Sequence, residues 1–192
     1  MKQTLIIIKP DAVKRGLVGK IIETFEQVGL KLMAAKMVKP NEDVIKKHYP
    51  GTVEWIKEMG EKTLLSFKQS GVNVKEKMGT DDPEKLGAFV YERLIKYWME
   101  GPIIVMVWQG PEAVQIARKL RGHTIPLLAQ TGTLHASFSF DNSILSSSLD
   151  RVVKTFVHAS GSLEEAKREI KYWFGNTDFK NYQREVDDLY LV

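Results

Sequence analysis

Thr4-Leu5-Ile6-Ile7-Ile8-Lys9-Pro10 is a β-branched, apolar run closed by a lysine and a proline. Such a run is the signature of a buried strand. A second one, Ile103-Ile104-Val105-Met106-Val107-Trp108, starts after Gly101-Pro102. Around these two the remaining elements fall into place. Val18, Ile21, Ile22, Phe25 and Val28 recur at helical spacing, and Gly29 ends the pattern. Residues 31–38 are extended before Pro40, and Asn41 caps a short helix that ends near His48-Tyr49. Residues 52–80 predict short helices, around 54–59 and 62–69, joined by loops. Asp82-Pro83 then opens a helix with the buried face Leu86, Phe89, Val90, Leu94, Tyr97 and Trp98.

Downstream of the second strand, Gly110-Pro111 starts a helix carrying Ala113, Ile116, Ala117 and Leu120, which Gly122 ends. Residues 123–150 show no sustained period and predict a long Thr-, Ser- and Gly-rich loop, a type that tends to be functional. Residues 152–157 predict a fourth strand. Ser162-Leu163-Glu164-Glu165 has capping-box spacing and opens a helix through Ala166, Ile170 and Trp173. Residues 175–192 read as a C-terminal arm. This order predicts an α+β, ferredoxin-like βαββαβ unit: a four-stranded antiparallel sheet with helices packed on it. Residues 1–192 contain no repeat or linker and read as one domain.

Composition narrows the function classes. A chain of 192 residues with 43% hydrophobic content can bury a substantial core without covalent staples. The absence of cysteine excludes disulfides, thiolate zinc sites and cysteine nucleophiles. No apolar stretch approaches the ~20 residues that cross a bilayer. The N-terminal apolar run is short for a signal peptide and leads into Lys9-Pro10-Asp11. The expectation is a cytoplasmic protein with no membrane partner. A net charge of +4 suits a polyanion such as nucleotide phosphate.

Gly16-Leu17-Val18-Gly19-Lys20 lacks the spacing of a phosphate loop, and no dinucleotide fingerprint follows any strand. A nucleotide would therefore be held by side chains. The four histidines, His48, His123, His135 and His158, fit no metal-ligand spacing. His158 stands out because it ends an apolar run and precedes the small-residue turn Ala159-Ser160-Gly161-Ser162. A side chain there can project into a site beside a helix N-terminus, where anions are favoured. A neutral imidazole is a competent nucleophile toward phosphorus.

Phe156-Val157-His158-Ala159-Ser160-Gly161-Ser162, with Glu165, Ala166, Glu169-Ile170 and Trp173-Phe174, resembles the active-site segment of nucleoside diphosphate kinases. Residues 4–13 with Arg15-Gly16-Leu17-Val18-Gly19 resemble that family's first strand and helix entry. His48-Tyr49, Gly101-Pro102 with the strand after it, Arg118, Gly122-His123-Thr124 and Gly132-Thr133 follow in the family's order, so the likeness covers essentially the whole chain. Residues 52–82 resemble the insertion of longer variants.

The resemblance implies transfer of the terminal phosphate of a nucleoside triphosphate to a nucleoside diphosphate through a phosphohistidine, with Mg²⁺ held mainly by nucleotide phosphates. It makes His158 the nucleophile and Glu169 the partner of its other ring nitrogen. It places Lys9 and Arg118 on phosphates, Tyr49 near the terminal phosphate and Thr124 on a phosphate. Tyr91 stands at the base-stacking position, with Ile95 one turn on. It also implies a homo-oligomer, commonly a hexamer, with dimer, trimer or tetramer as alternatives. Read without the resemblance, Lys9 and Arg118 are solvated charges, Tyr91 and Ile95 helix core, and Glu169 an exposed helix residue. An RNA-binding module on the same topology needs exposed aromatics on its central strands, which neither apolar strand supplies.

One segment departs from the family. Thr131-Gly132-Thr133-Leu134-His135-Ala136-Ser137-Phe138 stands where the family has Pro-Gly-Thr-Ile-Arg-Gly-Asp-Phe. His135 thus replaces a phosphate-contacting arginine, Ser137 an aspartate and Thr131 a proline. Thr155 replaces an asparagine that contacts ribose and phosphate. These changes leave a second reading, a catalytically weakened nucleotide-binding or scaffolding homologue. They also suggest that arginine restored at 135 raises turnover.

Overall fold

The central strand β1 (Lys2–Ile8) pairs with β3 (Ile103–Gly110) along its whole length, Lys2 opposite Gly110 and Ile8 opposite Ile104. The computed structural model describes residues 1–180, 182–184 and 187. Chain order from β1 is α1 (Pro10–Lys14), α2 (Val18–Gln27), β2 (Lys31–Val38), α3 (Glu42–His48), α4 (Val53–Gln69), α5 (Val74–Met78) and α6 (Pro83–Trp98). After β3 come α7 (Ala113–Arg121), a 3-10 turn at Pro126–Leu128, α8 (Leu134–Phe138), α9 (Ser143–Ser148), β4 (Val157–Ala159) and α10 (Leu163–Phe174). The sheet order is β2-β3-β1-β4, all antiparallel. Each parallel pair, β1 with β2 and β3 with β4, is split by an inserted antiparallel strand, which is the expected ferredoxin-like arrangement.

The continuous apolar run of β1 is explained by cover on both faces. Ile6 and Ile8 join Met106, Trp108, Phe25, Ile21 and Ala117 under α2 and α7. Leu5 and Ile7 join Val105, Val107, Trp98 and Trp173 under α6 and α10. These side chains are at most 7% exposed, and each fully buried large aliphatic side chain contributes about 1.5–3 kcal/mol. The caps form as expected: Asn41 Oδ1 accepts from Val44 N, Asp82 Oδ1 from Lys85 N and Ser162 Oγ from Glu165 N. The Glu165 side chain accepts from Gly161 N, so the reciprocal half of the box is shifted by one residue.

Three expectations need correction. The two short helices of 52–80 are one continuous helix, α4, followed by α5. Gly60 does not break α4; it is the point where α4 meets α6. A Cβ at Gly60 would lie 1.8 Å from the Pro83 carbonyl oxygen, and one at Gly87 1.9 Å from that of Ile56. Only glycine allows backbones that close.

The long loop 123–150 contains a 3-10 turn and two helices of five and six residues, too short to show a period. Asn142 Oδ1 caps the second by accepting from Ile144 N and Leu145 N. The fourth strand is 157–159 rather than 152–157. β4 pairs only with Ile6–Ile8, and Lys9 N to Phe156 O is the last link before Pro10 turns β1 into α1 and removes the template. His158 is therefore the middle residue of β4. Residues 181, 185, 186 and 188–192 of the arm lie outside the described residues. Among the described residues of the arm, Tyr182 and Arg184 donate to the carbonyls of Leu32, Leu30 and Gly29.

Gly60→Ala or Gly87→Ala is expected to force α4 and α6 apart and cost about 1–3 kcal/mol, as overpacking does. Denaturant unfolding checks this; an unchanged midpoint for both variants would show that the close crossing carries no weight.

Candidate active site

β4 and α10 bring a histidine and a carboxylate together. His158 lies opposite Ile7 in the β1–β4 ladder, and α10 packs back so that Glu169 meets it. His158 Nε2 donates to Glu169 Oε1 at 2.9 Å, and Ser160 Oγ donates to Oε2 at 2.7 Å. Glu169 is 2% exposed. Burial alone would raise its pKa, but the His158 ring, its hydrogen bond, His48 and Ser160 outweigh that and hold the carboxyl at about 2. Glu169 is thus ionised and buried, not an exposed helix residue. His158 Nδ1 makes no hydrogen bond to the described residues, and His158 lines the mouth of a cavity of about 360 Å³.

His48 packs edge-on against His158 with ring centroids 4.9 Å apart. Trp173 Nε1 donates to its Nδ1 at 3.2 Å, which places the proton of the neutral ring on Nε2, 3.6 Å from Glu169 Oε1. Burial pushes the pKa of His48 down to about 3, so the ring is neutral. His48, His158 and Glu169 have ligand-type atoms within 4.8 Å of one another. The donor set does not suit a metal, because both Nε2 atoms carry the proton that faces the carboxylate.

Lys9, the last residue before α1, is 4% exposed. Its Nζ donates to Thr155 Oγ1 at 2.6 Å and lies 5.1 Å from the centre of the Trp98 ring. Burial lowers its pKa to about 7, with Asp11 opposing and Arg121 adding to the fall. Arg118 and Thr124 line the same cavity from the exposed end of α7 and the turn after it. Tyr49 lines it too, and burial pushes its phenol upward.

Tyr91 and Ile95 do not line the cavity. Ile95 is 5% exposed and sits in the core. Tyr91 packs against Trp55 of α4, ring centroids 5.9 Å apart, with its hydroxyl at Gly51. The apolar wall comes instead from Met59 and Phe67 of α4, Phe89, Val90 and Leu94 of α6, and Val152.

His135 is fully buried against Phe156. Its Nδ1 donates to His123 O at 2.7 Å, and its Nε2 has no hydrogen-bond partner. Burial lowers its pKa to about 4, the carbonyls of His123 and Val157 recovering only part of the fall. A neutral ring whose one proton is spent on a carbonyl offers a phosphate neither charge nor a donor. Sequence reasoning singled out this position and passed over Arg121, which also lines the cavity. The signal was its i, i+3 spacing from Arg118 on α7. His48 and Ser160 were likewise present in the quoted motifs without a role.

The nucleoside diphosphate kinase family model matches residues 2–78 and 83–179. A nucleoside diphosphate kinase of Pyrobaculum aerophilum is 47% identical over 174 residues, covering 91% of this chain and 95% of that one. One from Borreliella burgdorferi is 32% identical over 185 residues, covering 96% and 94%. Among solved structures, an NDP kinase from Pyrobaculum aerophilum superposes with a TM-score of 0.84 at 45% identity, covering 90% and 95%. A transition-state mimic of the Borrelia burgdorferi enzyme with bound vanadate and ADP superposes at 0.76 and 33% identity, covering 97% and 94%.

Lys9 makes folding pH-dependent with a calculable sign. Its pKa falls from 10.5 in the unfolded chain to about 7 in the fold. The cost of burying its charge is therefore present in full below pH 7 and fades as pH rises toward 10.5. Lys9→Met is expected to stabilise the protein by about 1–3 kcal/mol at pH 7, the gain shrinking toward pH 10. Thermal unfolding at several pH values checks it; a destabilised variant with no pH trend would contradict it.

Proposed function

The chain belongs to the nucleoside diphosphate kinase family and moves the terminal phosphate of a nucleoside triphosphate to a nucleoside diphosphate; we propose that His158 carries that phosphate between them. The observation that carries this reading is the 2.9 Å contact of His158 Nε2 with buried Glu169, which leaves Nδ1 uncommitted at the cavity. The Nδ1 lone pair attacks the terminal phosphorus. The bond from phosphorus to the bridging oxygen breaks, and the diphosphate leaves with the electron pair. An oxygen of the second diphosphate then attacks the same phosphorus, and the N–P bond breaks back onto the ring. Attack by a neutral imidazole makes the ring cationic, and the Glu169 carboxylate on its Nε2–H stabilises that charge. Ser160 holds the carboxylate in place. The Borrelia relative that holds vanadate and ADP supports a transfer site in this fold.

Phosphoryl transfer asks mainly for positioning and positive charge. Lys9 and Arg118 supply charge, Thr155 fixes Lys9, Tyr49 lies near the terminal phosphate, and Thr124 hydrogen-bonds a phosphate. His135 contributes shape rather than charge. The base rests on the apolar wall, with Val90 and Leu94 in the places expected of Tyr91 and Ile95. Contact with side-chain surface rather than base edges gives broad base acceptance.

Mg²⁺ bound by the nucleotide phosphates would neutralise part of their charge during transfer. The cavity fits that mode, because the one carboxylate that lines it among the described residues, Glu165, accepts from Gly161 N. The weakened-homologue reading is not favoured by relatives named as kinases at up to 47% identity. Among the described residues, no helix is long and apolar enough to cross a membrane.

We also propose a homo-oligomer, supported by the exposed Leu127, Phe140 and Leu149 of the 123–150 segment, at 61%, 81% and 58% exposure. Sedimentation is expected to give a multiple of 21.9 kDa, lowered by a Leu127→Ser, Phe140→Ser double variant. A monomeric wild type would sink it.

Incubation with labelled ATP is expected to give acid-labile protein-bound phosphate that added diphosphates discharge and His158→Ala abolishes. Glu169→Gln, which loses a charge-assisted hydrogen bond of about 1.5–3 kcal/mol, is expected to slow transfer roughly 10- to 150-fold. Nucleotide binding without label in the wild type would overturn the reading.

A further inference from the structure

Six cationic side chains line the cavity: Lys9, Lys62, Arg93, Arg118, Arg121 and Arg151. Three are spoken for, because Lys62 pairs with Glu58, Arg93 with Asp150 and Arg151 with Asp141. Lys9, Arg118 and Arg121 form no ion pair among the described residues. Arg121 is the least expected of these. It is half-buried at the last position of α7, one turn after Arg118. Its hydrogen bonds go to neutral oxygens, Nε to Gly122 O at 3.2 Å and Nη2 to Thr124 Oγ1 at 3.5 Å. Burial, with Arg118 adding to the fall and Glu165 opposing it less strongly, brings its pKa down to about 10. Arg121 in turn depresses Lys9 and His135. A guanidinium that repels its neighbours and lacks a counter-ion is expensive to keep. What relieves it is an anion between the three cations, beside His158.

We propose that Arg121 is a phosphate-binding residue of this site, its guanidinium gripping the polyphosphate of the nucleotide together with Arg118 and Lys9. The proposal rests on the reading that this cavity takes the nucleotide. Arginine suits the task, since its planar fork of N–H donors can engage two oxygens at once. The position also accounts for His135. Arg121 acts electrostatically on that ring, so the charge that residue 135 does not provide comes from the neighbouring helix. Arginine restored at 135 while Arg121 is present would add a guanidinium to a cluster already self-repelling. The expected rise in turnover from His135→Arg is therefore confined to a background that lacks Arg121.

The test uses Arg121→Leu, Arg121→Lys and the double variant Arg121→Leu/His135→Arg. Arg121→Leu is expected to keep or raise the thermal midpoint and to lose roughly 10- to 150-fold in kcat/KM. Its affinity for inorganic tripolyphosphate in calorimetry is expected to fall by a similar factor, with adenosine binding unchanged. Arg121→Lys recovers part of both losses, and so does the double variant. In Arg121→Leu, Lys9 titrates above pH 7. A lowered thermal midpoint with unchanged kcat/KM and tripolyphosphate affinity in the folded fraction would show a structural arginine and overturn the proposal. Tripolyphosphate binding does not depend on transfer, so a wild type that forms no phosphohistidine would defeat the reading of His158 while this measurement still decides Arg121.

Discussion

A carboxylate that is 2% exposed and fully ionised is the constraint around which this fold is arranged. Glu169 survives burial because both its oxygens are occupied, one by His158 and the other by Ser160. An unpaired buried carboxylate would cost several kcal/mol. Meeting that demand fixes the position of α10, because only a helix packed against β1 and β4 puts residue 169 level with residue 158. It also fixes β4, since Leu5 N donates to Ser160 Oγ and Ser160 N donates to Leu5 O. The strand that carries the histidine and the turn that carries the serine are thus both pinned to β1, an inner strand of the sheet. Positioning of the imidazole follows from core packing, not from a flexible loop.

The cations opposite obey the reverse logic. Glu169 is satisfied by the fold; Lys9, Arg118 and Arg121 are not. A small set of like charges on rigid elements, partly out of water, holds electrostatic energy that only an anionic ligand releases. Burial of Lys9 costs folding energy below pH 7, and a phosphate bound there as proposed would favour its charged form. Thr155 holds the amine whether or not it is charged, because its oxygen accepts from either form.

The sheet was legible because β1 and β3 are apolar without alternation, which means cover on both faces, and because Asn41, Asp82 and Ser162 mark helix starts by side-chain chemistry that does not depend on tertiary context. Where tertiary contact decides, the sequence misleads. Gly60 looks like a break because propensity penalises glycine, yet the close approach of Pro83 requires it. The fourth strand looks longer than it is because Val152, Val153, Phe156 and Val157 are apolar, and the ladder is cut short past the Phe156 carbonyl by Pro10, far away in the chain. At the site, the contact of His158 with Glu169 was to be expected from likeness to a family, and the structure shows it. Tyr91 could not, because the wall that α4 builds with Trp55 decides which face of α6 meets the cavity.

His135 shows why a charge count along the sequence is a poor guide to a site. A histidine in place of an arginine looks like a lost cation, but whether a cation is lost depends on the field at that point. Buried against Phe156, with its proton committed to His123 O, residue 135 behaves as a shaped apolar filler that anchors α8 to the turn after α7. The charge present there belongs to Arg121, a residue that a reading along the chain treats as one more surface arginine in Arg118-Lys119-Leu120-Arg121. The two positions are 14 apart in sequence yet electrostatically coupled. Whatever the source of its affinity, a ligand that binds only the folded state at 100 times its Kd would stabilise the fold by about 2.7 kcal/mol through linkage. If nucleotide binds there as proposed, binding, proton uptake and stability would be three readings of one electrostatic imbalance, built where α1, α7 and β4 converge.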